Sequence, residues 1–251
     1  MAHAELRREI IRISHLSGEG HVPSSFSVLD IIKKLYDDVL NYEPSNPKDE
    51  WRDRFVLSKG HASLALYAVL AEKGFFPKSE LETFCKTGSK FEGHPNPKIP
   101  GVEALTGSLG HGFPMAVGMA LALKTKHLSA PRVFCLVGDG EMSEGSCWEA
   151  AILAAHYKLD NLIVIVDDNK SNPVSIPIAD MFAVLGWRVA DIFQDQFASA
   201  IDMEDKKPGP WIYVCKTVKG HGCAAMEENP AMWHHRKVSD EELPALLESC
   251  Q

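Results

Sequence analysis

Two short runs hold residues suited to gripping a metal ion together with an anion. Gly138-Asp139-Gly140-Glu141 follows an apolar stretch, and Asn169 stands 30 residues after Asp139 at the end of another. Asp139 and Asn169 offer hard oxygens, the donors that Mg²⁺ takes while it keeps octahedral geometry and shares its shell with phosphate and water. Gly138 and Gly140 let the backbone approach a ligand closely and accept unusual φ/ψ. The same residues also fit a tight strand-to-helix turn followed by an ordinary Asx turn. A third run, Gly107-Ser108-Leu109-Gly110-His111-Gly112, leads into a helical pattern. Backbone N–H groups at such a helix start, aided by the helix dipole, can face an anion or simply form a glycine-rich cap.

These runs need elements to hold them. Arg132 to Val137, Leu162 to Val166 and Trp211 to Val214 are short, apolar and rich in β-branched residues, which predicts buried strands. Leu185 to Val189 is a further candidate strand. Between the first two lies a helical pattern, Cys147 to His156, giving a right-handed βαβ unit and a parallel sheet. Helical patterns also cover Ser27 to Leu40, Ala62 to Lys73, Phe113 to Thr125 and Asp240 to Ser249. Pro, Asn, Ser and Gly mark Asn41 to Lys48, Gly88 to Pro100 and Asn169 to Pro177 as loops. The fold class is therefore α/β, a parallel sheet flanked by helices on both faces. Asp139 and Asn169 fall at the carboxyl ends of neighbouring strands, the crevice where such sheets bind ligands.

With 251 residues, 45% of them hydrophobic, and neither repeat nor linker, the expectation is a single domain over residues 1–251. A net charge of -8 disfavours nucleic acid, whose binding rests on Lys and Arg neutralising phosphates. The start, Met1 to Leu16, mixes Glu5, Arg7, Arg8, Glu9 and Arg12 with apolar residues, so it reads as an amphipathic helix rather than a signal peptide. No window reaches the roughly 20 apolar residues of a membrane span, and a cytoplasmic protein follows. Cys85, Cys135, Cys147, Cys215, Cys223 and Cys250 show no Cys-x-x-Cys spacing, which predicts free thiols rather than a zinc or redox site.

Gly-Asp-Gly followed at this distance by Asp167-Asp168-Asn169 resembles the thiamine diphosphate motif of transketolases. Four more blocks are similar to that family in order and spacing. They are Gly20-His21-Val22-Pro23-Ser24-Ser25, Asp53-Arg54-Phe55-Val56-Leu57-Ser58-Lys59-Gly60-His61-Ala62, Gly93-His94-Pro95, and Gly101 through Gly112. The resemblance covers nearly the whole chain. It implies the thiamine-diphosphate-binding fold (PP-type domain), with Mg²⁺ held by Asp139, Asn169 and the carbonyl of Ser171. It implies cofactor contacts from His61, Gly107, Ser108, Leu109, His111, Gly138, Asp139, Gly140, Glu141 and Asn169. His21, His61, His94 and His234 would line the pocket as catalytic residues, since imidazoles move protons near neutral pH. Glu144 matches a glutamate that links cofactors across the subunit interface, and equally fits a carboxylate in a helix's first turn. His234 follows a Trp233-His234 step like that of relatives, while His221 stands where relatives often carry Lys. The chain departs from the family pattern at Val189 to Phe193 and from Asn169 to Ile178, changes that bear on the sugar rather than the cofactor.

Family members place an essential glutamate on a pyrimidine-binding domain that follows this segment. Here the sequence stops at Gln251. The resemblance thus implies the N-terminal subunit of a split transketolase, completed by a C-terminal subunit on a separate chain, in a heterotetramer. The reaction would move a two-carbon ketol unit from a ketose, phosphorylated or not, to an aldose. A specialised ketol or acyl transferase of a biosynthetic pathway, and a non-catalytic binding subunit of the same fold, are the alternatives.

Overall fold

The structure is a computed structural model that describes residues 3–202 and 209–250. Five strands form one all-parallel sheet: β1 (Arg54–Leu57), β2 (Val133–Gly138), β3 (Leu162–Asp168), β4 (Arg188–Phe193) and β5 (Trp211–Lys216), in the order β1-β2-β3-β5-β4. In register, Val133 to Gly138 of β2 pair with Leu162 to Asp167 of β3, and Ile163 to Asp168 of β3 pair with Trp211 to Lys216 of β5.

Side chains alternate across a strand, so each face of this sheet needs its own cover. Phe55, Leu57, Phe134, Leu136, Ile163, Ile165, Tyr213 and Cys215 pack into one buried cluster with α1 (Ala4–Ser17), α2 (Val22–Lys34) and α3 (Ser63–Glu72). Val56, Val133, Cys135, Val137, Leu162, Val164, Val166, Ile212 and Val214 pack into a second with α4 (Gly112–Thr125), α5 (Gly145–His156) and α6 (Ile178–Val184). Short helices α7 (Phe197–Asp202), α8 (Ala224–Glu228) and α9 (Leu243–Ser249) complete the chain. The parallel α/β sheet with helices on both faces is thus as the sequence predicts.

Several boundaries differ from the sequence pattern. The second helix begins at Val22, five residues ahead of the predicted Ser27, with Pro23 in its first turn where a missing N–H costs nothing. Its end, Leu35–Val39, widens into a π turn. β1 escapes the hydrophobic pattern because only four residues pair. β4 runs from Arg188 rather than Leu185; its half-exposed, polar-interrupted edge position carries no clear apolar signal. Helices α6, α7 and α8 are too short to show periodicity.

The C-terminal segment is tied to the first helices by Arg7, which is buried. Its Nη2 donates to both oxygens of Asp30 on α2 at 2.9 Å, and its Nε donates to the His221 carbonyl at 2.9 Å. This clamp brings the loop after β5 back to the carboxyl edge of the sheet.

Candidate cofactor site

The carboxyl ends of β1, β2, β3 and β5 deliver Ser58 to His61, Asp139, Asn169 and Thr217 to Lys219 to one edge. At the centre, Asp139 Oδ1 accepts the Gly140 N–H at 2.8 Å and Oδ2 accepts the Asn172 N–H at 3.2 Å. The Asn172 side-chain amide donates to the Asp139 carbonyl and to Ser143 Oγ. These bonds close the loop that carries Asn169 and Ser171 onto the 138–140 turn through Asn172. Among the described residues Asn169 Oδ1 accepts only the Ser171 N–H, at 3.1 Å, which leaves it a lone pair for a cation. A Cβ placed on Gly140 would meet nothing within 4 Å, which is room beside the carboxylate for a second group. One carboxylate, one amide oxygen and one backbone carbonyl form a hard-oxygen set of the kind Mg²⁺ takes. Lys219 adds positive charge, its Nζ donating to Ser171 Oγ at 2.9 Å. Burial, then the nearby Lys59, lowers the Lys219 pKa.

The glycine-rich run reaches this turn through Glu141. That residue is 1% exposed, and its carboxylate accepts from Ser58 Oγ at 2.5 Å, from Gly110 N–H at 3.0 Å and from Gly138 N–H at 3.3 Å. Glu141 therefore holds protein donors rather than facing outward. Burial raises its pKa, opposed by those same bonds. Ser108, Leu109 and His111 are exposed along the run, and Gly107 packs against the His94 ring. Gly110 has φ 78, and a Cβ there would lie 2.7 Å from Glu144 Cβ and 2.5 Å from Ser146 Oγ. The run is thereby pressed onto the first turn of α5. Glu144 itself is exposed just before that helix.

Three of the four predicted histidines form one ring cluster. His21 lies 5.3 Å from His61 and 5.1 Å from His234, centroid to centroid, and His61 lies 6.3 Å from His234. His235, not singled out in the sequence, stands nearer still, 4.7 Å from His21. His94 shares with His21, His61 and His235 the lining of a cleft of about 100 Å³. Its backbone is fixed by Tyr67 Oη donating to the His94 carbonyl at 2.7 Å and by Ser63 Oγ donating to that of Gly93 at 2.8 Å. His221 is apart, between Asp30 and Glu227.

Burial, then the neighbouring His234 and His235, lowers the His21 pKa to about 4. Burial and the Lys59 ammonium lower that of His61 to about 2, and burial lowers that of His234. His21 and His61 are therefore neutral at pH 7. His21 Nδ1 contacts the His234 carbonyl at 2.9 Å; a carbonyl only accepts, so Nδ1 carries the proton and Nε2 keeps its lone pair.

A model of the family described as "Transketolase, thiamine diphosphate binding domain" matches residues 8–248. The chain belongs to the transketolase family. It is 38% identical to an apulose-4-phosphate transketolase subunit from Actinobacillus succinogenes, over 97% of this chain and 92% of that one. A 6-deoxy-6-sulfo-D-fructose transketolase subunit from a Clostridium species is 38% identical over 89% of this chain and 86% of its own length. Among solved structures, the transketolase of Pichia stipitis in complex with sedoheptulose-7-phosphate has a TM-score of 0.87 at 26% identity. That match covers 98% of the present transketolase chain and 40% of the Pichia chain.

Further residues of this site were not singled out in the sequence. Lys59 and Asp167 form a fully buried ion pair at its floor. Lys219 and His235 complete its walls. Periodicity had no signal for any of them, because each acquires its role from a contact distant in sequence.

Proposed function

We propose that this chain is the thiamine diphosphate- and Mg²⁺-binding subunit of a two-chain transketolase. With a partner carrying the pyrimidine-binding domain, it transfers a two-carbon ketol unit from a ketose to an aldose. The observation that carries this reading is the closure of the 169–172 loop on Asp139, which gathers oxygen donors at the carboxyl edge beside the histidine cluster. Asp139, Asn169 and the Ser171 carbonyl would hold the metal, and Lys219 would add positive charge beside the diphosphate. Bound thiamine diphosphate supplies a nucleophilic carbon that adds to a carbonyl and accepts the electron pair released by carbon–carbon cleavage.

The chain's own residues position the sugar and move its protons. His21, with Nε2 unprotonated, accepts a proton from a substrate hydroxyl, and His61, His94 and His234 orient neighbouring hydroxyls. Relatives named for a phosphorylated and a sulfonated sugar support an anionic ketose as donor.

The relatives called subunits support a separate partner. So do the exposed Ile152 and Leu153 on α5, Tyr157 just after it and Val184 on α6, on the elements beside the metal turn. Two copies of each chain would make the heterotetramer. A single domain over residues 1–251 is supported by two buried clusters sharing one sheet. Among the described residues no helix is long and apolar enough to cross a membrane, in keeping with a cytoplasmic assembly.

Calorimetry of thiamine diphosphate with Mg²⁺, partner chain present, tests the reading. Asp139→Ala removes metal-dependent binding; unchanged affinity ends the assignment.

A further inference from the structure

Asp167 is 0% exposed, lies at the end of β3, and does not face the cleft. Every bond to its carboxylate comes from a protein donor on another part of the site. Oδ2 accepts from Lys59 Nζ, from Ser27 Oγ of α2 at 2.8 Å and from Asn169 Nδ2 at 2.8 Å, while Oδ1 accepts from Thr217 Oγ1. An amide side chain has two faces that differ only in which way its N and O point, and either orientation has the same shape. Next to an oxygen already accepting from an ammonium, only the NH₂ face of Asn169 is tolerated. Its carbonyl oxygen is thereby turned the other way, where it accepts the Ser171 N–H.

We infer that Asp167 is a positioning residue that fixes the amide of Asn169, so that oxygen rather than nitrogen is offered to the metal. This rests on the magnesium reading of the site given above. Lys59 serves the same end one step removed: its ammonium donates to the shared Oδ2 and holds the carboxylate in place against the Asn169 amide. The arrangement also explains a charge pair buried where hydrophobic packing would otherwise suffice, because a buried ion pair by itself adds little stability. Groups that orient a metal ligand from behind typically cost about 10–100-fold in metal affinity when changed.

Mn²⁺ standing in for Mg²⁺ gives a direct readout: free Mn²⁺ is counted by electron paramagnetic resonance at saturating thiamine diphosphate, with the partner chain present. Circular dichroism melts report folding. Asp167→Asn, whose amide satisfies Asn169 in either orientation, is expected to weaken Mn²⁺ binding by about 10–100-fold. The exchange Asp167→Asn with Asn169→Asp is expected to restore affinity to within a few-fold of wild type, since a carboxylate at 169 offers oxygen whichever way it turns. A purely structural Asp167 is not rescued by that exchange. Wild-type affinity in Asp167→Asn, or failure of the exchange to recover binding in a folded protein, overturns the inference alone. A wild-type protein that binds thiamine diphosphate equally well without any divalent ion overturns the magnesium reading and this inference with it.

Discussion

Glu141 is the residue whose removal best tests how the site is built. Its carboxylate is the acceptor for three donors: a hydroxyl from the loop after β1, a backbone N–H from the glycine run and one from the end of β2. Glu141→Ala leaves the Gly110 and Gly138 N–H groups without that partner in a water-excluded spot, at about 1–3 kcal/mol for each buried donor left unsatisfied. The 3.3 Å bond to Gly138 belongs at the low end, and the Ser58 hydroxyl can rotate to another acceptor. Against this stands the relief of no longer burying a carboxylate, whose pKa burial has pushed up. A net loss of about 2–4 kcal/mol follows. At roughly 2–4 °C per kcal/mol for a domain of this size, the melting temperature drops by about 4–16 °C. Glu141→Gln keeps an acceptor for Gly110 and Ser58 but turns NH₂ toward the Gly138 N–H, so its loss is about half as large. Melts followed by circular dichroism measure both, and hydrogen exchange at Gly110 locates the effect. Melting of Glu141→Ala within about 2 °C of wild type refutes the reasoning, because no buried acceptor could then have been lost.

Acidification is expected to destabilise the fold through the histidine cluster. The folded pKa values of His21 and His61, about 4 and about 2, lie below an unfolded value near 6.5. Their stabilising contribution is full above pH 6.5 and is lost as pH falls. At 1.36 kcal/mol per pH unit, His61 accounts for up to about 2 kcal/mol between pH 6.5 and 5, and the more solvated His21 for less. Melts across that range should fall in wild type and flatten in His61→Gln; a parallel pair of curves contradicts the assignment. Gly110→Ala combines a positive φ with an overlap at Glu144 and Ser146, and should cost about 1–3 kcal/mol in urea denaturation. A variant as stable as wild type would mean that the run is not pressed onto α5. The isolated chain should turn over no ketose in a coupled assay, and appreciable activity without a partner would contradict the two-chain proposal.

Much of the fold could be read from local pattern. Strands β2, β3 and β5 are buried on both faces, so they appear as continuous β-branched runs, and α3, α4 and α5 follow their helical spacing to within two residues. β1 and β4 could not be read that way. One is four residues long and the other is a half-exposed edge, and a strand is recognisable in sequence only when burial forces an apolar run. Residue type and spacing likewise placed Asp139 and Asn169 at neighbouring strand ends. They could not tell that Glu141 turns inward onto three donors or that His235 joins His21, nor did they separate His221 from the cluster.

The sequence by itself determined the buried strands and the longer helices, that the sheet is parallel, and that Asp139 and Asn169 fall at its carboxyl edge. These follow from the period of apolar residues and from where glycines interrupt it. Tertiary structure alone decided which polar side chains face the cleft and which hold the frame behind it. Lys59, Asp167 and Thr217 lie far apart along the chain, and only the stacking of β1, β3 and β5 brings an ammonium, a carboxylate and a hydroxyl within bonding distance in a place that water cannot reach.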